Sequence, residues 1–184
     1  SLIGSLALIG TPFLAGFYSK DSIIEAVKFS NIPGSGFAYF AVMAGVFVTA
    51  FYSFRMYFLV FHGEERFGKG DHHDHHGDHD DEEASHDHHH GLAPGQKPHE
   101  TPWVVTLPLV LLAIPSVVIG YIAIEPMLYG DFFKGIIYID HEAHPAMATM
   151  AEHFHGAAAM TAHALQTLPF WLALAGVVTA WFFY

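Results

Sequence analysis

Four stretches of this chain are apolar for about the length that a bilayer demands, and that patterning leaves few folds open. A helix needs about 20 apolar residues to cross the hydrocarbon of a membrane. Leu2 to Phe29 is one such run, interrupted by charges. Phe37 to Phe61 gives 25 residues with Arg55 as its single charge, Trp103 to Ile124 gives 22 with none, and Leu168 to Tyr184 gives 17. The whole chain is 52% hydrophobic and only 14% charged, where a soluble domain averages about 25% charged. Trp103, Tyr121, Trp171, Trp181 and Tyr184 lie near the ends of the runs, as aromatic belts do at membrane interfaces. The apolar residues stand in blocks longer than a buried core helix usually needs, which disfavours a soluble bundle. The expected fold is an all-α membrane protein with about four transmembrane helices, the first discontinuous.

The connections are equally distinctive. Residues 71–90 contain nine His and eight Asp or Glu. Such a stretch cannot bury enough apolar surface to offset the cost of ordering, so residues 62–102 are expected to form a solvated, disordered loop. Most of the net charge of −11 is concentrated there, and the seven Lys and Arg are scattered, so no nucleic-acid footprint exists. The absence of cysteine excludes thiolate-held iron–sulfur clusters, cysteine zinc sites and disulfides within the chain. Between the third and fourth runs, residues 125–167 are mixed. Pro145 to Gln166 reads as one amphipathic helix, with Met147, Ala151, Phe154, Ala158 and Leu165 along a stripe. The chain thus divides into 1–61, with the broken and second spans; the 62–102 loop; the 103–124 span; an extramembrane 125–167 segment; and the start of a fourth span at 168–184.

Arg55, Arg66 and Lys69 flank the exit of the second span, whereas the 125–167 connection carries only Lys134. The positive-inside rule therefore puts the His-rich loop on the cytoplasmic side, or the matrix side in a mitochondrion. The chain opens at Ser1 without a basic leader and stops at Tyr184 inside an apolar run; a segment of a longer protein is expected to look like this.

The first run carries the chemistry. Gly10, Pro12 and Gly16 fall within seven residues of its middle, and proline and glycine there predict a broken helix. Unwound backbone is tolerated in a membrane only where protein or a water-filled cavity receives it. Lys20 and Asp21 follow, and the apolar run continues past them. Asp21 and Glu25 share a helical face, with Lys28 three residues beyond. A charge at mid-bilayer costs about 3 kcal/mol or more, so such groups are usually paired and functional. A lysine suits proton transfer because its charge responds readily to burial and to neighbouring charges. The alternative is an unbroken helix from Leu2 to Ser19, about 27 Å long by standard geometry, which would carry Lys20 to the interface to snorkel. Arg55 has the same two readings: snorkelling at a helix end, or facing Asp21 or Glu25.

The run from Ser5 through Gly10-Thr-Pro-Phe-Leu-Ala-Gly16 and Phe17-Tyr-Ser-Lys-Asp21 to Glu25, with Tyr52-Ser-Phe-Arg-Met56 in the next span, resembles the largest antiporter-like subunits of respiratory complex I, chain L in bacteria and subunit 5 in mitochondria. The likeness is closest over residues 1–62. It implies roughly the C-terminal third of a longer protein in a bacterial inner membrane, or a mitochondrial one. It also implies a proton-translocating role, with Lys20 as a relay lysine at the helix break and Asp21 beside it, and Glu25 and Arg55 as further candidates. NAD, flavin, iron–sulfur clusters and quinone would belong to partner chains, among the other membrane and peripheral subunits, with none in this chain. Mrp-type cation/proton antiporters share the broken helix, and a secondary metal transporter is a further alternative because of the His-rich loop. No spacing in that loop defines a closed metal site, which leaves incidental divalent-metal binding. His141, His144, His153, His155 and His163 read as surface or capping residues.

Overall fold

A computed structural model describes residues 1–64, 100–138, 140 and 145–184. The His-rich stretch, Arg66, Lys69, His141 and His144 lie outside the described residues. Among the described residues every regular element is helical: α1 Leu2–Ile9, α2 Ala15–Phe29, α3 Ser35–Phe61, α4 Trp103–Ile124, α5 Ala146–His153, α6 Ala157–Ala164 and α7 Leu168–Phe183, with one π-helical turn, Glu125–Tyr129, prolonging α4.

Two elements are long and apolar enough to cross a membrane unaided, Ser35–Phe61 and Trp103–Tyr129. A third candidate is α6 with α7, bent by 57° at their junction. The Leu2–Phe29 run is two helices of 8 and 15 residues, each short of the roughly 20 that a crossing requires. The expected helix from Pro145 to Gln166 is likewise divided. Helix α5 stops at His153, Gly156 turns the chain with φ 97°, and α6 starts at Ala157. Periodicity alone missed this division, because Gly156 sits within an apolar stripe that runs across the break.

Small residues set how closely the helices approach. In lipid no hydrophobic force separates helix from bilayer, so packing relies on close backbone contact. Helix α7 presents Ala173, Gly176 and Ala180 to α3. A Cβ on Gly176 would lie 2.6 Å from the Phe47 carbonyl oxygen and 2.8 Å from the Ala50 Cβ. A Cβ on Gly120 of α4 would meet Ala15 Cα and the Tyr18 ring of α2, each at 2.6 Å. Of α4's residues only Ile124 is buried, so most of this helix offers apolar side chains outward. Gly176→Ala is expected to force α3 and α7 apart and to lower stability by about 1–3 kcal/mol. Gly36→Ala, where an added Cβ meets nothing within 4 Å, is expected to be neutral or slightly stabilising. Thermal unfolding of the two variants in detergent checks this; equal losses would contradict the packing.

Candidate functional site

The break between α1 and α2 is built from backbone chemistry. Gly10 adopts φ 80°, ψ 40° and ends α1. Its N–H donates to the Ala7 carbonyl, while the Thr11 N–H reaches back to Leu6. This pair of bonds is a Schellman motif, which needs a left-handed residue and so favours glycine. Thr11-Pro12-Phe13-Leu14 then reverses the chain, with the Leu14 N–H on the Thr11 carbonyl at 3.2 Å. Pro12 suits the second position of such a turn, but the third requires positive φ. Phe13 supplies it at φ 76°, a conformation that costs a side-chain-bearing residue roughly 1–2 kcal/mol.

The ammonium of Lys20 closes the end of α1. Its Nζ donates to the Leu8 carbonyl oxygen at 2.5 Å, one of the last carbonyls of α1, which has no intrahelical partner. A cation there also meets the negative end of the helix dipole. Gly10 and Gly16 make room for this. A Cβ on Gly10 would come within 3.3 Å of Lys20 Cδ, and one on Gly16 would overlap the Ala7 carbonyl oxygen at 1.9 Å. The doubled-back approach of α2 to α1 thus depends on a missing methyl group.

Depth follows from the neighbours. Lys20 shares a cavity of about 130 Å³ with Val42, Gly45, Val46 and Thr49. Those residues lie around the middle of the 27-residue α3, a helix about 40 Å long by standard rise. Lys20 is therefore level with the middle of α3, and the unbroken helix that the snorkelling reading required is two helices instead.

Asp21 is 7% exposed and points elsewhere. Adjacent helical residues do not face each other, and the one ion pair among the described residues is Lys134–Asp131, on the surface. Lys20 and Asp21 nonetheless border a common cavity of about 30 Å³. Gly10 and Pro12 of the first break form one wall, and Thr167, Pro169 and Phe170 from the α6–α7 bend form the other. The two interrupted helices thus meet at the lysine–aspartate pair. Tyr18, 1% exposed, ties them together with a 3.0 Å bond to Thr161 Oγ1. The Thr161 hydroxyl hydrogen is directed to the Ala157 carbonyl at 2.9 Å, so Tyr18 is the donor.

Beyond Asp21 a larger cavity, about 540 Å³, is bordered by Glu25 on α2 and by His153, His155 and His163. Of the residues singled out in the sequence, Lys20 and Asp21 border the small cavity and Asp21 and Glu25 the larger one, but Arg55 borders neither. Its guanidinium lies 5.0 Å from the Tyr184 ring centroid, at an exposed position past the level of Lys20. The sequence reading did not single out Tyr18, Thr161 or the α6–α7 bend. Thr167 before Leu168-Pro169 was the available signal, since proline is favoured in the first turn of a helix. Among the described residues, no three His, Asp or Glu side chains converge as a metal ion would require.

Apolar spans, one interrupted helix pair meeting another, and a lysine at mid-span define an integral membrane protein with discontinuous helices. No protein-family model matches the chain. It is 63% identical over 183 residues to NADH-quinone oxidoreductase subunit L of Neisseria meningitidis serogroup A, a match covering 100% of this chain and 26% of that protein. It is 41% identical over 152 residues to NAD(P)H-quinone oxidoreductase chain 5 of Picosynechococcus, covering 83% of this chain and 20% of the relative. With NADH-ubiquinone oxidoreductase chain 5 of Marchantia polymorpha it shares 35% over 127 residues, 69% of this chain and 16% of the relative. The chain is similar to NADH-quinone oxidoreductase subunit L and chain 5 proteins, and spans about a quarter of the length of the subunit L relatives it matches.

The break makes a paired prediction. Gly10→Ala is expected to cost about 1–2 kcal/mol, through its positive φ. Phe13→Gly, at a residue 66% exposed, is expected to cost nothing measurable, because relief of strain offsets lost packing. Unfolding midpoints of the two purified variants decide it; a larger loss in Phe13→Gly would contradict the turn assignment.

Proposed function

We propose that this chain forms part of a proton-translocating membrane subunit of an NADH:quinone oxidoreductase, with Lys20 and Asp21 as consecutive proton carriers. The chain would hold no redox group. NAD, flavin, iron–sulfur clusters and quinone would be handled by the other membrane and peripheral subunits, in a bacterial inner membrane or a mitochondrial one, with the His-rich loop on the cytoplasmic or matrix side.

One observation carries the reading: a lysine ammonium sits level with mid-span on the exposed end of a broken helix, with a buried carboxyl group next to it in sequence and across a small cavity. In the protonated state, Lys20 is held by the Leu8 carbonyl and the end of the α1 dipole. When it gives up its proton that attraction is lost, and the neutral amine accepts a proton from the opposite side. The 30 Å³ cavity has room for a water molecule, which could bridge the two groups. Asp21, oriented away from Lys20, would pass the proton onward along the face it shares with Glu25. The helix ends thus do what a continuous rod could not: they present polar backbone to a charge inside the apolar slab.

Lys20→Met in the full-length protein, within the assembled complex, is expected to lower protons moved per electron several-fold while the complex still assembles. Lys20→Arg is expected to fail as well, since a guanidinium keeps its proton. Reconstituted proton pumping measured beside NADH oxidation checks both. Normal stoichiometry in either assembled variant would overturn the assignment and leave a packing role.

A further inference from the structure

We propose that the 540 Å³ cavity between α2 and the α5–α6 segment is the proton outlet of the lysine site, and that His163 is the first acceptor beyond Asp21. This rests on the relay reading of Lys20. Asp21, Glu25 and Lys28 line one side of the cavity, and His153, His155 and His163 line the other. Exposure rises along it: Asp21 is buried, Glu25 is half-buried and the three histidines are exposed.

The histidines are prepared as bases. His153 Nδ1 lies 2.7 Å from the Thr149 carbonyl oxygen, and His155 Nδ1 lies 2.7 Å from that of His153. A carbonyl only accepts, so in each neutral ring Nδ1 carries the hydrogen and Nε2 keeps its lone pair. His163 is within electrostatic reach of Asp21, and neither of its ring nitrogens is engaged by a hydrogen bond among the described residues. Its position is fixed from below: the buried Tyr18–Thr161 bond pins α6 to α2 two residues before His163 and three before Asp21.

The chain path sets the direction. The cavity lies where α2 ends and where the π-helical turn closes α4, since Phe29 and Tyr129 both border it. The finish of α3 and the start of α4 are the opposite ends of these helices. The outlet therefore opens at the other face of the membrane from the end of α3. The step is simple and balanced. The O–H bond of the Asp21 acid breaks as an N–H bond forms on neutral His163; the imidazolium then releases its proton to water, and the Asp21 carboxylate takes the next proton from the Lys20 side. Glu25, Lys28, Tyr129, His153 and His155 face the same cavity.

The test uses the whole complex in proteoliposomes, with Lys20→Met measured in parallel. His163→Gln is expected to slow coupled turnover roughly tenfold, less than the roughly hundredfold or more of a fully enclosed proton-transfer group because water can partly replace an exposed imidazole, and added imidazole is expected to restore it. Full pumping in His163→Gln with impaired Lys20→Met would overturn the outlet and leave the relay standing. Full pumping in both would overturn both. Loss in His163→Gln that imidazole does not restore would mean a structural role and would overturn the outlet. A second variant, His163→Cys, introduces a thiol into a stretch without cysteine, so that labelling can be read on the peptide that carries residue 163. A membrane-impermeant thiol reagent is expected to label it from the face opposite the end of α3; labelling from the other face only, or from neither, would overturn the proposal.

Discussion

The bond from the Lys20 ammonium to the Leu8 carbonyl is the interaction on which the rest of this structure depends. A helix that stops inside a membrane leaves carbonyls without partners, and each would cost several kcal/mol in hydrocarbon. A lysine inside a membrane carries a comparable liability. Placed together, each answers the other. The Schellman bonds at Gly10 and Thr11 satisfy Ala7 and Leu6, and Lys20 takes Leu8, so three of the last four carbonyls of α1 have partners within the protein. Because the partner of the charge is a dipole rather than a carboxylate, the lysine is stabilised without being locked in an ion pair.

Close approach is the second requirement. Lys20 reaches Leu8 only because α2 doubles back against α1, and that depends on Gly16, which lies almost on the Ala7 carbonyl. Gly120 lets α4 press on the other side of α2, and Gly176 draws α7 onto α3. The α6–α7 bend thereby arrives opposite the first break, and Asp21 is enclosed by helices distant in sequence. Binding of the charge and packing of the small residues are one structural solution.

Much of this was legible in the residues. Gly10, Pro12 and Gly16 announced the break, because their effects on a helix are local, and the long apolar runs located α3 and α4 to within two residues at each described end. Lys20, Asp21 and Glu25 stood out in the sequence because charge inside an apolar run is costly wherever it folds, and the structure brings them to two adjoining cavities. The partner of Lys20 was not, since a backbone carbonyl leaves no mark in a sequence. The division of 145–166 at Gly156 was hidden by an apolar stripe that runs across it. The meeting of the two interrupted helices depends on tertiary contact between residues as far apart as Tyr18 and Thr161. Arg55 carried the same sequence signal as Lys20, a charge in a span, yet it lies out beside Tyr184. Only its level along α3 separates the two cases.

The most direct test is a cryo-EM structure of the full-length protein in a lipid nanodisc, at a resolution that shows side chains and the bilayer boundaries. Lys20 Nζ should be found within hydrogen-bonding distance of the Leu8 carbonyl, near the middle of the hydrocarbon layer, with Gly10 to Leu14 unwound. An ammonium group at the headgroups, above a helix that runs unbroken from Leu2 to Phe29, would contradict it.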